Sequence, residues 1–133
     1  MEKVFHFAPF DLGFLYASLR IETRSVWCTK AASRLLGPRR RRDEHSLARL
    51  VAQYFGVTLD KGSVRTSDWD ASHLSDQQVA YAVRDVEFLV ELRARQAREL
   101  EERALMQDFR RVCDYMPTAA KLAVEGFPDP LTY

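Results

Sequence analysis

The sequence has few of the residues on which several protein classes depend. Its 133 residues include two cysteines and three scattered histidines, which excludes a disulfide framework and a clustered zinc site. No apolar stretch approaches the roughly 18 residues that a membrane-spanning helix needs. The first residues also lack the charged segment, apolar core and cleavage site of a signal peptide. We therefore expect a cytoplasmic protein without membrane association, in which Cys28 and Cys113 are reduced thiols.

Neither sign of charge is in excess. Twenty basic and nineteen acidic side chains give a net charge of +1, so the overall field does not indicate a polyanionic partner. The exception is local, because Arg39, Arg40, Arg41 and Arg42 form an uninterrupted basic run. Such a run is either a solvated loop or a place where nucleic-acid phosphates bind. The 47% hydrophobic and 29% charged residues are typical of one globular domain, which we assign to residues 1–133.

The first third of the chain repeats a strand-helix pattern. Pro9 suits the first turn of a helix, and Thr29 is placed to cap a second one. The repeat favours an α/β fold with parallel strands covered by helices. The predicted elements are a strand at 3–7, a helix from about 9 to 19, a strand at 25–28 and a helix at 29–36.

The remainder of the chain is predicted to be mainly helical. A third helix ends at Gly56, and a turn at 60–62 lies within an irregular connection over 57–73. Ser75 and Gln78 have the form of a capping box that opens the longest helix, which extends to about Leu100. A last helix over 104–114 and a proline-containing tail follow. Trp27, Tyr54 and Trp69 are expected in the core.

Two features of the sequence are able to carry chemistry. Asp11 lies in the first turn of a helix directly after a strand, where open sheets collect ligands. Tyr81 and Asp85 are four residues apart on the longest helix, so both side chains project from one face. Structural interpretations compete with both features. The helix dipole alone favours an aspartate such as Asp11 in a first turn, and the spacing of Tyr81 and Asp85 often occurs by chance.

Six segments of the sequence carry a further pattern in their order and spacing. They are 5–11 (FHFAPFD), 28–33 (CTKAAS), 45–47 (HSL), 59–61 (LDK), 67–69 (SDW) and 74–86 (LSDQQVAYAVRDV). Together they resemble the ribonuclease D group of DEDD 3′-5′ exonucleases, in its tyrosine-containing branch. The resemblance implies an RNase H-like fold and hydrolysis of terminal phosphodiester bonds by two Mg²⁺ or Mn²⁺ ions roughly 3.5 to 4 Å apart.

The resemblance also implies roles for individual residues. Asp11 matches a water-mediated partner of one metal, and Asp85 matches a direct ligand of the metal on the nucleophile's side. Tyr81 matches the residue that orients the attacking water. His6 and Phe7 are expected to line the pocket for the terminal nucleotide of single-stranded RNA or DNA.

One motif of the family is missing from this chain. The family's first motif is an Asp-x-Glu on the first strand, and here only two residues precede the segment that matches the fourth strand. We therefore expect an RNase H-like fold that is N-terminally truncated, with the helical part dominating a small residual parallel sheet. The first strand should then present an unpaired edge to a separate N-terminal segment or to a second copy of the chain.

Three functional interpretations follow. The chain is a 3′-5′ exonuclease that needs the Asp-x-Glu segment for activity, or an inactive remnant that binds nucleic acid or protein, or an unstable fragment. Salt-dependent binding through the arginine run would favour the second.

Overall fold

The computed structural model describes residues 1–59, 68 and 73–133. The turn predicted at 60–62 and the core position predicted for Trp69 lie outside these residues. The elements are β1 (Lys3–Phe5), α1 (Ala8–Leu19), β2 (Val26–Cys28), α2 (Thr29–Leu36), a 3₁₀ turn (Arg42–His45), α3 (Leu47–Phe55), α4 (Asp76–Glu102) and α5 (Met106–Val124).

The described strands form a small parallel sheet, as predicted. β1 pairs with β2 in a register that places Val4 beside Trp27. Both strands are shorter than predicted because neighbouring residues leave the extended conformation. Phe7 has a φ of 62° and Ser25 a φ of 57°, and both values lie in the left-handed region. The α/β class and the dominance of the helices are confirmed.

The core lies between the sheet and the helices. Trp27 and Phe109 are completely buried, and their ring centres are 4.5 Å apart in a tilted arrangement. α5 packs along α1 and also contacts β2 and α2, while α4 contacts α2 and β1. Cys28 and Cys113 are free and buried in this core, and Cys28 Sγ accepts a hydrogen bond from the Ala8 amide at 3.4 Å.

Local signals at helix ends were mostly correct. Ser75 and Gln78 form the predicted capping box, and Gly56 ends α3 with a φ of 66°. Thr29 was expected to cap α2, and this was wrong. Thr29 is the first residue of that helix, and its buried hydroxyl donates to the Phe5 carbonyl instead.

α5 extends well beyond the helix predicted over 104–114. It continues to Val124 and contains Pro117 in its interior. A proline inside a helix removes one backbone hydrogen bond and destabilises the helix by about 3 kcal/mol. Met116 and Ala120 on either side of it are buried against the core, and this packing compensates for the proline.

Two apolar helix faces remain exposed in the structure. Phe10 and Phe14 of α1 are 71% and 63% exposed. The second face, which we call the valine face of α4, is 49–60% exposed along its length. It consists of Val79, Val83, Val86 and Val90. None of the described helices combines the length and the hydrophobicity that crossing a bilayer requires. Exposed apolar faces such as that of Phe10 and Phe14 and the valine face are typical of surfaces that other polypeptide covers.

Candidate active site

Tyr81 and Asp85 occupy one face of α4, as predicted. They are one turn apart, and both side chains are half-buried. Burial raises the pKa of the Asp85 carboxyl above its usual value, and the neighbouring Arg84 opposes this rise. The Asp85 carboxyl is therefore partly desolvated, and a bound cation would stabilise its charged form.

Asp11 lies in the first turn of α1, also as predicted. α1 begins shortly after β1, with Pro9 in its first turn, so the carboxyl is positioned by the strand-to-helix corner. Burial raises the pKa of Asp11, and a hydrogen bond from its own backbone amide counteracts part of this rise. Among the described residues, neither Asp11 nor Asp85 forms an ion pair.

β1 contacts both α1 and α4, the helices that carry Asp11 and Asp85. Their oxygen atoms are suitable ligands for hard divalent cations. However, the described part of the chain contains no group of three or more His, Cys, Asp or Glu side chains that could hold a metal ion. Asp11 and Asp85 therefore have the right chemistry but do not form a complete metal site by themselves.

His6 follows β1 and is held by a partly buried hydrogen-bond network. Its Nδ1 lies 2.9 Å from the Thr29 hydroxyl, which itself lies 3.2 Å from the Phe5 carbonyl oxygen. Burial, assisted by the positive charge of Lys30, lowers the pKa of His6 to about 4. The imidazole is consequently neutral at physiological pH.

This low pKa predicts that His6 makes folding stability depend on pH. The unfolded chain binds the proton near pH 6.5 and the folded chain only near pH 4, so stability falls as the pH drops between these values. Replacing His6 with glutamine should remove this pH-dependent loss of folding stability, which is on the order of 3 kcal/mol over the interval. Urea unfolding at pH 7 and pH 4 measures the difference. The His73→Gln variant, at an exposed position, should behave like the wild type.

Phe7 has an unusual conformation for a bulky residue. Its left-handed backbone costs on the order of 1–3 kcal/mol, and its ring remains 45% exposed. Lys30 Nζ lies 4.8 Å from the centre of this ring. Phe7, Lys30 and Arg34 line an open cavity of about 350 Å³ with an apolar floor that includes Met116.

Lys30 was not predicted as a site residue. The sequence contained one signal for it, because a lysine in the first turn of a helix opposes the helix dipole and is unfavourable there. A lysine at such a position suggests that a requirement other than helix stability selects it. Here its ammonium group lies against the Phe7 ring at the end of β1.

The arginine run forms a separate surface between α2 and α3. Arg40 donates to the Gln53 side chain at 2.8 Å, and Arg41 lies 3.5 Å from the Asp43 carboxylate. Arg39 and Arg42 are exposed. Within the described residues, these contacts of Arg40 and Arg41 are made with Gln53 and Asp43, and not with Asp11 or Asp85. The predicted nucleic-acid-binding residues are thus divided between the strand end and this surface.

Comparison with known proteins identifies the class of the fold and then the family. A family model described as 3′-5′ exonuclease matches residues 1–101. The solved structure of Brucella melitensis NrnC with bound Mg²⁺ superposes with a TM-score of 0.86 at 30% identity, covering 100% of this chain and 64% of that one. The fold is therefore an RNase H-like exonuclease fold. The chain belongs to the 3′-5′ exonuclease family.

Curated relatives agree with this assignment. DNA polymerase I of Aquifex aeolicus is 45% identical over 87 residues, which are 65% of this chain and 14% of that protein. Ribonuclease D of Sphingobium indicum is 30% identical over 116 residues, which are 84% of this chain and 29% of that protein. Brucella melitensis NrnC has also been solved bound to pGG, with a TM-score of 0.86, 31% identity and the same coverage of 100% and 64%. The chain thus spans less than a third of these curated relatives.

Proposed function

We propose that this chain carries part of the active site of a 3′-5′ exonuclease that hydrolyses terminal phosphodiester bonds of single-stranded RNA or DNA. The observation that carries the proposal is the placement of Asp11 and Asp85 on two helices that both contact β1. Both carboxyls are partly withdrawn from water and lack an ion pair within the described residues. A divalent cation would relieve this unfavourable arrangement.

Mg²⁺ or Mn²⁺ is the proposed cofactor, with Asp11 and Asp85 supplying part of the ligand set. A pair of such ions would supply the activated water and stabilise the leaving oxygen. Tyr81 lies one turn before Asp85 and is proposed to orient the attacking water through its phenol. A phenol that keeps its proton does this without adding negative charge to the site.

The remaining ligands are proposed to come from a polypeptide segment that bears the Asp-x-Glu motif. The described sheet has only two strands, so β1 has an edge that is not paired with β2. α4 contacts β1 and exposes its valine face. A strand added beside β1 would complete the sheet and cover apolar side chains of α4. A second copy of this chain is the alternative occupant of the edge.

A complementation assay tests the proposed function. The purified chain is mixed with a polypeptide bearing the Asp-x-Glu strands, and 5′-labelled single-stranded RNA and DNA are added with Mn²⁺. We expect stepwise shortening from the 3′ end with release of mononucleotides. A polypeptide in which the two acids are replaced by amides should bind equally but give no activity.

The result that contradicts the proposal is equally definite. If the polypeptide binds, as seen by native mass spectrometry, and neither nucleic acid is shortened, the exonuclease assignment fails for this chain. A circular single strand serves as the control, because it has no 3′ end and should remain intact.

Binding by the arginine surface is a second and separable prediction. Arg39 and Arg42 are exposed and have no acidic partner in the described structure. Replacing both with alanine should reduce the salt dependence of single-strand binding. The slope of log K against log salt concentration should become shallower by about 0.7 for each lost phosphate contact. Fluorescence anisotropy at several salt concentrations measures the slope.

A charge-matched control distinguishes this surface from a general effect of charge. Arg98 and Arg111 are exposed on α4 and α5, and their replacement by alanine removes the same charge. An equal change in slope for both double variants would remove the arginine surface from the account. Binding without any activity in the complementation assay would favour the non-catalytic interpretation.

A further inference from the structure

The hydrogen bonds around Thr29 determine which nitrogen of His6 carries the proton. The Thr29 hydroxyl lies 3.2 Å from the Phe5 carbonyl oxygen and 2.9 Å from His6 Nδ1. A carbonyl oxygen accepts hydrogen bonds and does not donate them, so the single hydroxyl proton goes to Phe5. Both contacts exist together only if His6 Nδ1 donates its own proton to the Thr29 oxygen.

Thr29 is itself firmly held. Its backbone carbonyl accepts a hydrogen bond from Gln96 Nε2 at 2.8 Å, and Gln96 Oε1 accepts one from Trp27 Nε1 at 3.3 Å. All three residues are completely buried. The hydroxyl therefore has little freedom to turn away from Phe5, and the imidazole stays neutral because burial keeps the pKa of His6 low.

The other ring nitrogen, Nε2, is then a lone-pair acceptor. His6 makes no other hydrogen bond in the described part of the chain, and its ring is half-buried. The buried side-chain polar atom that lacks a partner among the described residues is the Tyr115 hydroxyl, not His6 Nε2. Solvent therefore reaches Nε2, and a bound ligand is able to donate a hydrogen bond to it.

We propose that Thr29 holds His6 as its Nδ1–H tautomer, so that Nε2 accepts a hydrogen bond from a sugar hydroxyl of the bound strand. The second half rests on the proposed nuclease function. Phosphate oxygens are acceptors and do not suit this nitrogen, whereas sugar hydroxyls donate. The adjacent Phe7 ring is exposed and offers a face for a base, which would bring the attached sugar beside His6.

Nuclear magnetic resonance of the imidazole nitrogens tests the tautomer directly. Long-range proton–nitrogen correlations of His6 in the wild-type chain should show a protonated Nδ1 and an unprotonated Nε2 at neutral pH. Thr29→Ser keeps the hydroxyl and should retain this pattern, whereas Thr29→Val should give a mixture of tautomers. A wild-type spectrum dominated by the Nε2–H form overturns the proposal, even if Thr29→Val fails to fold.

Binding of modified oligonucleotides tests the ligand. Short single strands carry a ribose, a 2′-deoxyribose or a 3′-deoxyribose at the 3′ terminus, and they are compared without added metal so that no hydrolysis occurs. Loss of the recognised hydroxyl should weaken binding by about 3- to 10-fold, as expected for one neutral hydrogen bond. The deoxy position that weakens binding identifies the hydroxyl as 2′ or 3′.

The variants separate the outcomes. His6→Phe should abolish the discrimination, His6→Gln should retain part of it through its amide oxygen, and the exposed His73→Phe should leave it unchanged. Equal discrimination by wild type and His6→Phe would overturn the role of Nε2 even with the expected tautomer. Failure of every oligonucleotide to bind would contradict the nuclease function, and the tautomer result would distinguish the two failures.

Discussion

Replacing Asp85 with asparagine is expected to abolish Mn²⁺-dependent release of nucleotides in the complementation assay while leaving the fold intact. Even outer-shell partners of metal sites typically contribute about 10- to 100-fold, so loss of a direct ligand should exceed this range. The stability should not fall. Because burial raises the pKa of Asp85, its charged form is disfavoured in the folded state, and a neutral amide removes that cost.

Glu87→Gln is the matched control for this variant. Glu87 lies on the same helix, is exposed, and loses the same charge on substitution. It should keep wild-type activity. If Glu87→Gln and Asp85→Asn reduce the rate equally, the loss of activity comes from the changed charge of the helix. Asp85 would then not act as a metal ligand.

Replacing Phe109 with alanine is expected to destabilise the chain strongly. Its ring is completely buried and packs in a tilted arrangement on Trp27, with the ring centres 4.5 Å apart. The lost burial and the cavity left behind should lower the free energy of unfolding by about 3–5 kcal/mol. Chemical denaturation followed by Trp27 fluorescence measures the change.

Phe127→Ala provides the comparison for this prediction. Phe127 is 57% exposed after the end of α5, so its truncation should change stability by no more than about 0.5 kcal/mol. A similar loss for both variants would mean that the Trp27–Phe109 contact does not hold the core together.

Features that depend on neighbouring residues were predictable from the sequence. The capping box at Ser75 needs only Gln78 three residues later, and the end of α3 needs only Gly56. The parallel pairing of β1 and β2 follows from the strand-helix repeat. Asp11 and Asp85 were predicted as site residues because their spacing and context matched a family.

Features that depend on tertiary packing were not predictable in the same way. α5 continues through Pro117 because its buried face packs on α1 and β2, and local propensity argues against such a helix. The role of Thr29 depends on His6 and Phe5, which lie more than twenty residues away. The valines of the valine face recur at helical spacing along α4, but this spacing does not say what covers that face.

Paramagnetic broadening by Mn²⁺ determines whether Asp11 and Asp85 bind the same metal cluster, as we propose. In the nitrogen-labelled chain bound to the Asp-x-Glu polypeptide, substoichiometric Mn²⁺ should broaden the amide resonances around Asp11 and around Asp85 together. Asp85→Asn should weaken both effects. Broadening at one of the two positions without the other would contradict the account, because the two carboxylates would then not share a site.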